Sequence, residues 1–354
     1  MEIKSFPNKF HRKRLADFLR RRWLTLVLLI ALAGLFLYAL SGVEFAEVRA
    51  VLRRLSAGQI LLLAGLNGVI VLVLNWRWWW LLKILGYRTA FGGLTLDRLS
   101  AFAVSYLTPG AHFGGEPLQV LTLQRCHGVA APAAILSVGL DKVFEMFLNG
   151  LVIASLPGLL LLVYGGVGLS RQPLFWLTPL LIFLVSTIIF LWFIRQPRPL
   201  SALVEKYGQR VLRPARFESV HRTVSQVEGE LRSLPGRGIS LLLGGSAISL
   251  IGWLLMIGEF WLMLYLLNPQ ITVLQMCFAY CFARAANWVP VPAAAGALEA
   301  GQVLALGLAG VALPVALGLV LLIRLRDLAF ATIGLGWGGV RYYGLRSQAE
   351  IERG

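Results

Sequence analysis

The chain has 354 residues, 58% of them apolar and 14% charged, with a formal net charge of +16 and a mean hydropathy of +0.74. A water-soluble domain carries about 25% charged and roughly 45–50% apolar residues, so polar surface is too scarce here for a soluble globule. The composition excludes a cytosolic enzyme, a disordered protein, a secreted disulfide scaffold and a nucleic-acid binder that works through its basicity. The expected solvent is a bilayer.

Residues 1–22 hold eight basic side chains, and Arg20, Arg21 and Arg22 immediately precede an apolar run at 23–41. That run is long enough to cross a hydrocarbon core of about 30 Å, so an uncleaved signal anchor is expected. Residues 42–57 set Glu44, Glu47, Arg49, Arg53 and Arg54 among Val and Leu, the pattern of an amphipathic segment at the interface. Further spans are expected at 58–82, 137–165, 173–195, 239–267 and 312–340. Trp76, Trp78, Trp79 and Trp80 beside Arg77 and Lys83 read as an aromatic and basic belt at the end of the second span.

Residues 196–237 mix Arg, Glu and Pro and are expected to be a basic link, partly amphipathic helix; 341–354 form a short polar tail. Cytoplasmic segments carry the excess of Lys and Arg. Six crossings therefore place both termini and the link in the cytoplasm, in a bacterial or archaeal inner membrane. Cys126, Cys277 and Cys281 have no CxxC or Cys/His spacing, so no disulfide, metal site or other cofactor is expected.

Two apolar stretches do not read as simple spans. Residues 94–108 carry Asp97 and Arg98 and run into Pro109, Gly110, His112, Gly114, Gly115 and Glu116. Residues 271–289 carry Arg284 and Asn287 and run into Pro290, Pro292, Gly296 and Glu299. Pro removes a backbone donor and Gly admits left-handed conformations, so both stretches should break and turn back. Irregular backbone at membrane depth is tolerated where protein buries it or it lines a cavity. Two re-entrant or broken hairpins around a polar cavity are expected.

These breaks belong to a repeat. Pro109 precedes Glu116 by seven residues and Pro292 precedes Glu299 by seven, at an offset of 183. Gly128-Val-Ala-Ala-Pro recurs as Gly310-Val-Ala-Leu-Pro at an offset of 182, which also aligns Lys142 with Arg324 and Glu145 with Asp327. With the expected spans, the two copies run in opposite directions across the bilayer, an inverted-topology repeat of the kind found in alternating-access transporters. The expected architecture is all-α: an N-terminal region (1–57), a first repeat half (58–195, broken at 108–116), the link (196–237), a second half (238–340, broken at 289–299) and the tail.

In these motifs the chain resembles the lysylphosphatidylglycerol synthase transmembrane, or flippase-like, family. The matching elements are Asn75-Trp76-Arg77-Trp78, the Pro109–Glu116 stretch, the Lys142/Glu145 region, Pro292–Glu299 and Arg324–Asp327, in that order, over about 20–340. The family commonly has an Arg three residues after the first motif's Glu, whereas this chain has Gln119, so no cationic headgroup contact is expected there. The resemblance implies movement of a lipid or lipid-linked substrate across the bilayer. A chain of this length has no room for the soluble synthase domain of bifunctional members, so translocation without synthesis is expected.

A charge facing lipid at a helix centre is costly, so intramembrane charges mark cavities or partners. Arg284, Lys142, Arg324 and Arg326 are the candidate contacts to an anionic phosphate, with Asn287 as a hydrogen-bonding neighbour and His112, Glu116 and Glu299 at the breaks. Structural or coupling roles fall to Glu145, Asp327, Asp141, Glu259 and Arg77: Asp141 or Glu145 can neutralise Lys142, Asp327 can neutralise Arg324, and Glu259 can join Arg284. Gly244, Gly245, Gly252 and Gly258 point to close helix packing. Partners are membrane lipids and a lipid-synthesising enzyme or glycosyltransferase, with no nucleic acid. A membrane-embedded lipid-modifying enzyme, for which no catalytic motif is present, and an ion-coupled carrier of a small solute are the alternatives.

Overall fold

The computed structural model describes residues 45–108, 114–164, 204–208, 214–232, 238–286 and 294–351, with scattered positions between them. The anchor expected at 23–41 lies outside the described residues, as do most of 173–195 and the residues Pro109, Gly110, His112, Asn287, Pro290 and Pro292. Backbone N–H and C=O groups in an apolar solvent must pair within their own segment. The described segments are accordingly helical, with no strand among them.

The described residues form α1 (Phe45–Arg53), α2 (Ala57–Ile84), α3 (Phe91–Leu107), α4 (Glu116–His127), α5 (Ala131–Tyr164), α6 (Pro214–Arg232), α7 (Gly238–Leu267), α8 (Val273–Ala286), α9 (Ala297–Leu308) and α10 (Leu313–Ile351), in chain order. By length and composition, α2 and residues 243–267 of α7 can each cross a membrane. The amphipathic segment is present as α1, and its apolar side faces protein: Val48 and Val51 are buried, and α1 packs on α10. Part of the link is α6, which lies against α5. There Glu228 accepts hydrogen bonds from the backbone N–H and the hydroxyl of Ser201.

Among the described residues α3 ends at Leu107 and α4 begins at Glu116, and α8 ends at Ala286 and α9 begins at Ala297. In each case the two limbs fold back on one another. Gly115 N donates to Ser105 Oγ at 2.8 Å near the turn, and Asp97 Oδ2 lies 2.7 Å from His127 Nε2 at the open end of the α3/α4 hairpin. In the α8/α9 hairpin, Gln302 Nε2 donates to Ala279 O at 2.8 Å and Gln275 Nε2 to Ala309 O at 2.9 Å. Gly128 and Gly310 end the second limbs at φ of 63° and 73°, the left-handed region that Gly enters without penalty. Pro132 and Pro314 then stand in the first turns of α5 and α10, where proline costs a helix no hydrogen bond.

Helices α2, α3, α4 and α5 begin 181 or 182 residues before α7, α8, α9 and α10. The packing has the same exchange symmetry. Helix α3 lies along α10 and α8 along α5, while α2 and α7 pack directly on each other. Asn67 Nδ2 donates to Glu259 Oε1 at 3.1 Å and Arg77 Nη1 to Ser249 Oγ at 3.0 Å, so α2 and α7 cross antiparallel. The residues in these two bonds exchange places at a spacing of 182, since 67 matches 249 and 77 matches 259.

Small residues set the close crossings. An added Cβ would lie 2.7 Å from Trp80 at Gly244, 2.6 Å from Phe144 at Gly245 and 3.1 Å from Leu74 at Gly252. Gly258 departs from the expectation, because a Cβ there meets nothing within 4 Å. Closer still is α3 on α10, where a Cβ on Gly334 would be 2.1 Å from Leu99 O. Gly334→Ala is expected to lower stability by about 1–3 kcal/mol, as overpacking does. Gly258→Ala should be neutral or stabilising, since Ala is the better helix former. Thermal melts of the purified variants distinguish the two outcomes.

Candidate functional site

Between the two hairpins and the long helices lies a cavity of about 350 Å³, within the size range of small-ligand sites, about 300–1,000 Å³. Its wall takes residues from α2, α3, α4, α5, α7, α8, α9 and α10, so it belongs to both members of the repeat-like arrangement. Of the expected site residues it gathers Arg284, Lys142, Arg326, Glu116, Glu145, Asp327, Asp141, Glu259 and Arg77. Arg324 and Glu299 are not part of the wall.

The hairpin glutamates have matching roles. Glu116 Oε2 accepts from Gly114 N at 2.7 Å, and its Oε1 lies 3.3 Å from Lys142 Nζ. Glu299 Oε2 accepts from Gly296 N at 2.8 Å, and its Oε1 accepts from Arg324 Nε at 2.7 Å. Each carboxylate thus satisfies an amide released by the turn and fixes a cation on the following long helix. Gly114 and Gly296 have φ of 143° and 78°, turn conformations that a side chain would strain.

The remaining pairs partly depart from the helical-spacing expectations. Asp141 is paired with two arginines and not with Lys142: Arg77 Nε at 2.6 Å and Arg98 Nη2 at 2.9 Å. Lys142 is shared between Glu116 and Glu145, the latter at 3.2 Å. Arg324 is held by Glu299 and donates to Tyr106 Oη at 3.3 Å, while Asp327 accepts from Arg326. Glu259 is bound by Arg326 at 2.9 Å through both oxygens and by Asn67, so it is not the partner of Arg284. Long cationic side chains reach neighbouring helices as easily as the next turn, and the geometry favours the interhelical partner.

Arg77 also corrects the expected interfacial belt. It and Trp78 are 1% and 0% exposed, so they face the protein interior, while Trp76 remains 43% exposed. Lys83 stacks over Trp79 at 5.1 Å. Arg77 Nη2 and Arg98 Nη1 are buried with no hydrogen-bond partner among the described residues, and both residues line the cavity.

Arg284 is held differently from the other cations. Its Nη2 donates to Tyr280 Oη at 2.7 Å, and its guanidinium carbon lies 4.7 Å from the ring centroids of both Trp253 and Tyr280. Among the described residues no carboxylate is within ion-pair distance. Aromatic faces fix a guanidinium without cancelling its charge, so Arg284 presents positive charge to the cavity.

Arg98, Asn67, Asn149, Trp253 and Tyr280 line the cavity but were not among the expected site residues. An isolated charge in an apolar stretch was the available signal for Arg98. Gln119 also faces the cavity. Outside the cavity Asp97, 1% exposed, joins α3 to α4 and α10 through His127, Trp337 Nε1 at 2.9 Å and Arg341 Nε at 3.3 Å.

The chemistry available is that of a partly open, charged chamber bounded by short hairpin helices and by long apolar ones. Comparison with curated proteins finds no match. Residues 23–334 match the lysylphosphatidylglycerol synthase TM region, and the chain belongs to that family of membrane domains.

Proposed function

We propose that this protein moves a lipid between leaflets: an anionic or aminoacylated phospholipid, or a polyprenyl-phosphate-linked or hopanoid-type lipid. The observation that carries this reading is Arg284, a cation stacked between Trp253 and Tyr280 in the cavity wall with no carboxylate partner among the described residues. A phosphate bearing negative charge is the complement of such a group. Transport, and not bond making, is the inferred outcome, because Glu116 and Glu299 are committed to turn amides and cations.

The mechanism proposed is alternating access by two inverted halves, with six full crossings, two re-entrant hairpins and cytoplasmic termini. Support comes from the 181–182-residue recurrence of helix starts and the antiparallel crossing of α2 with α7. At 12 residues each, α4 and α9 reach roughly 18 Å, too short for a core of about 30 Å. A lipid-synthesising enzyme or glycosyltransferase is the partner such a role calls for.

The test is reconstitution in vesicles with fluorescent anionic lipids and a membrane-impermeant quencher. Protein-dependent loss of leaflet asymmetry is expected. Folded protein that transfers none of the anionic lipids overturns the proposal.

A further inference from the structure

A cavity of about 350 Å³, though apolar along part of its wall, is too small to hold the hydrocarbon chains of a lipid together with its headgroup. A second depression, an open groove of about 560 Å³, runs between α4 and α5. Its walls are Pro117, Val120 and Leu121 on one helix and Ile135, Val138 and Gly139 on the other. Leu121 is 47% exposed, and Gln124 is the polar residue in the same wall. The groove and the cavity share Glu116, Val138 and Lys142, so the two spaces meet at the Glu116–Lys142 ion pair.

We infer that this groove is the acyl-chain slot of the bound lipid, with the headgroup inside the cavity and one hydrocarbon chain leaving it past the Glu116–Lys142 pair. This rests on the lipid reading above. The occupant follows from continuity and chemistry: a ligand filling both spaces must be charged at one end and apolar at the other. Gly139 gives the slot its depth, since a Cβ at that position would meet nothing within 4 Å. Glycine in the interior of α5 costs helix stability relative to alanine, and no packing contact of its own demands it.

The slot predicts where a chain can be labelled and how it can be plugged. The full chain in vesicles is photolabelled with phosphatidylglycerol carrying a diazirine on one acyl chain, and with phosphatidylcholine carrying the same chain. Labelling of 117–124 and 135–139, relative to lipid-facing α7, is expected to be higher for the anionic lipid. Gly139→Trp, and Gly139→Leu as a smaller plug, should lower that label and leaflet transfer by about tenfold, equivalent to 1.4 kcal/mol. Gly258→Ala, on α7 and outside both spaces, should leave both near wild type, and melting curves identify any variant that fails to fold.

Label spread evenly over lipid-facing helices, or unchanged by both plugs, overturns the slot. Failures of the two ideas separate cleanly. Wild-type transfer that continues unaltered in well-folded plugged variants removes the slot and leaves translocation standing. Selective, plug-sensitive labelling without any transfer supports the slot as a lipid site and removes translocation.

Discussion

Asp141→Ala is expected to destabilise the fold by about 3–5 kcal/mol, the range for breaking a buried ion pair by deleting one partner. Asp141 is 5% exposed and answers two guanidiniums, those of Arg77 and Arg98. Its removal strands two cations in a wall where Arg77 Nη2 and Arg98 Nη1 already have no hydrogen-bond partner among the described residues. The loss is read as a lowered unfolding midpoint in detergent and a lower yield of folded protein. Arg98→Ala should be milder, because Arg77 and Asp141 still satisfy each other. If Asp141→Ala melts with the wild type, the buried triad is not a stability element.

The second large effect is expected in binding and not in folding. Arg284→Ala should lower affinity for an anionic lipid by about 2–5 kcal/mol, the cost of truncating one side of a buried charged contact, or at least roughly thirtyfold. Stability should change little, because Arg284 leaves behind two aromatic rings and a tyrosine hydroxyl instead of an orphaned carboxylate. Arg284→Lys should recover part of the affinity, since an ammonium keeps charge but loses the flat face that stacks on Trp253. Native mass spectrometry of copurifying lipids measures all three proteins. The same anionic lipids on Arg284→Ala as on wild type would remove this residue from the site.

Much of the scaffold was legible before any coordinates. The apolar run read at 58–82 is the helix Ala57–Ile84, and that read at 239–267 is Gly238–Leu267. Glu116 and Glu299, read as standing at the breaks, do accept hydrogen bonds from the amides of Gly114 and Gly296, local contacts that short-range sequence reports well. The spacing of 182 likewise reappears in the starts of the helices.

The charge partners were less legible, for a physical reason. A helix apolar on all sides has almost no amphipathic phase, so nothing in the tetrad Trp76-Arg77-Trp78-Trp79 tells which side faces protein. Helical spacing suggested Arg324 with Asp327, yet Arg324 reaches Glu299 on α9 and Asp327 takes Arg326 beside it. Arg98 meets Asp141 across 43 residues of sequence. Such pairings are decided by tertiary packing, and periodicity carries no trace of them.

The distribution of ion pairs has a mechanical consequence. Arg77, Arg98 and Lys142 discharge onto Asp141, Glu116 and Glu145, and Arg324 and Arg326 onto Glu299, Glu259 and Asp327. Three hydrogen bonds connect these two sets of helices beside the cavity, Arg77 to Ser249, Asn67 to Glu259 and Arg324 to Tyr106, each with a neutral residue on one side. Outside the cavity, Asp97 on α3 and Arg341 on α10 do pair opposite charges, so that corner ties together two helices far apart in sequence.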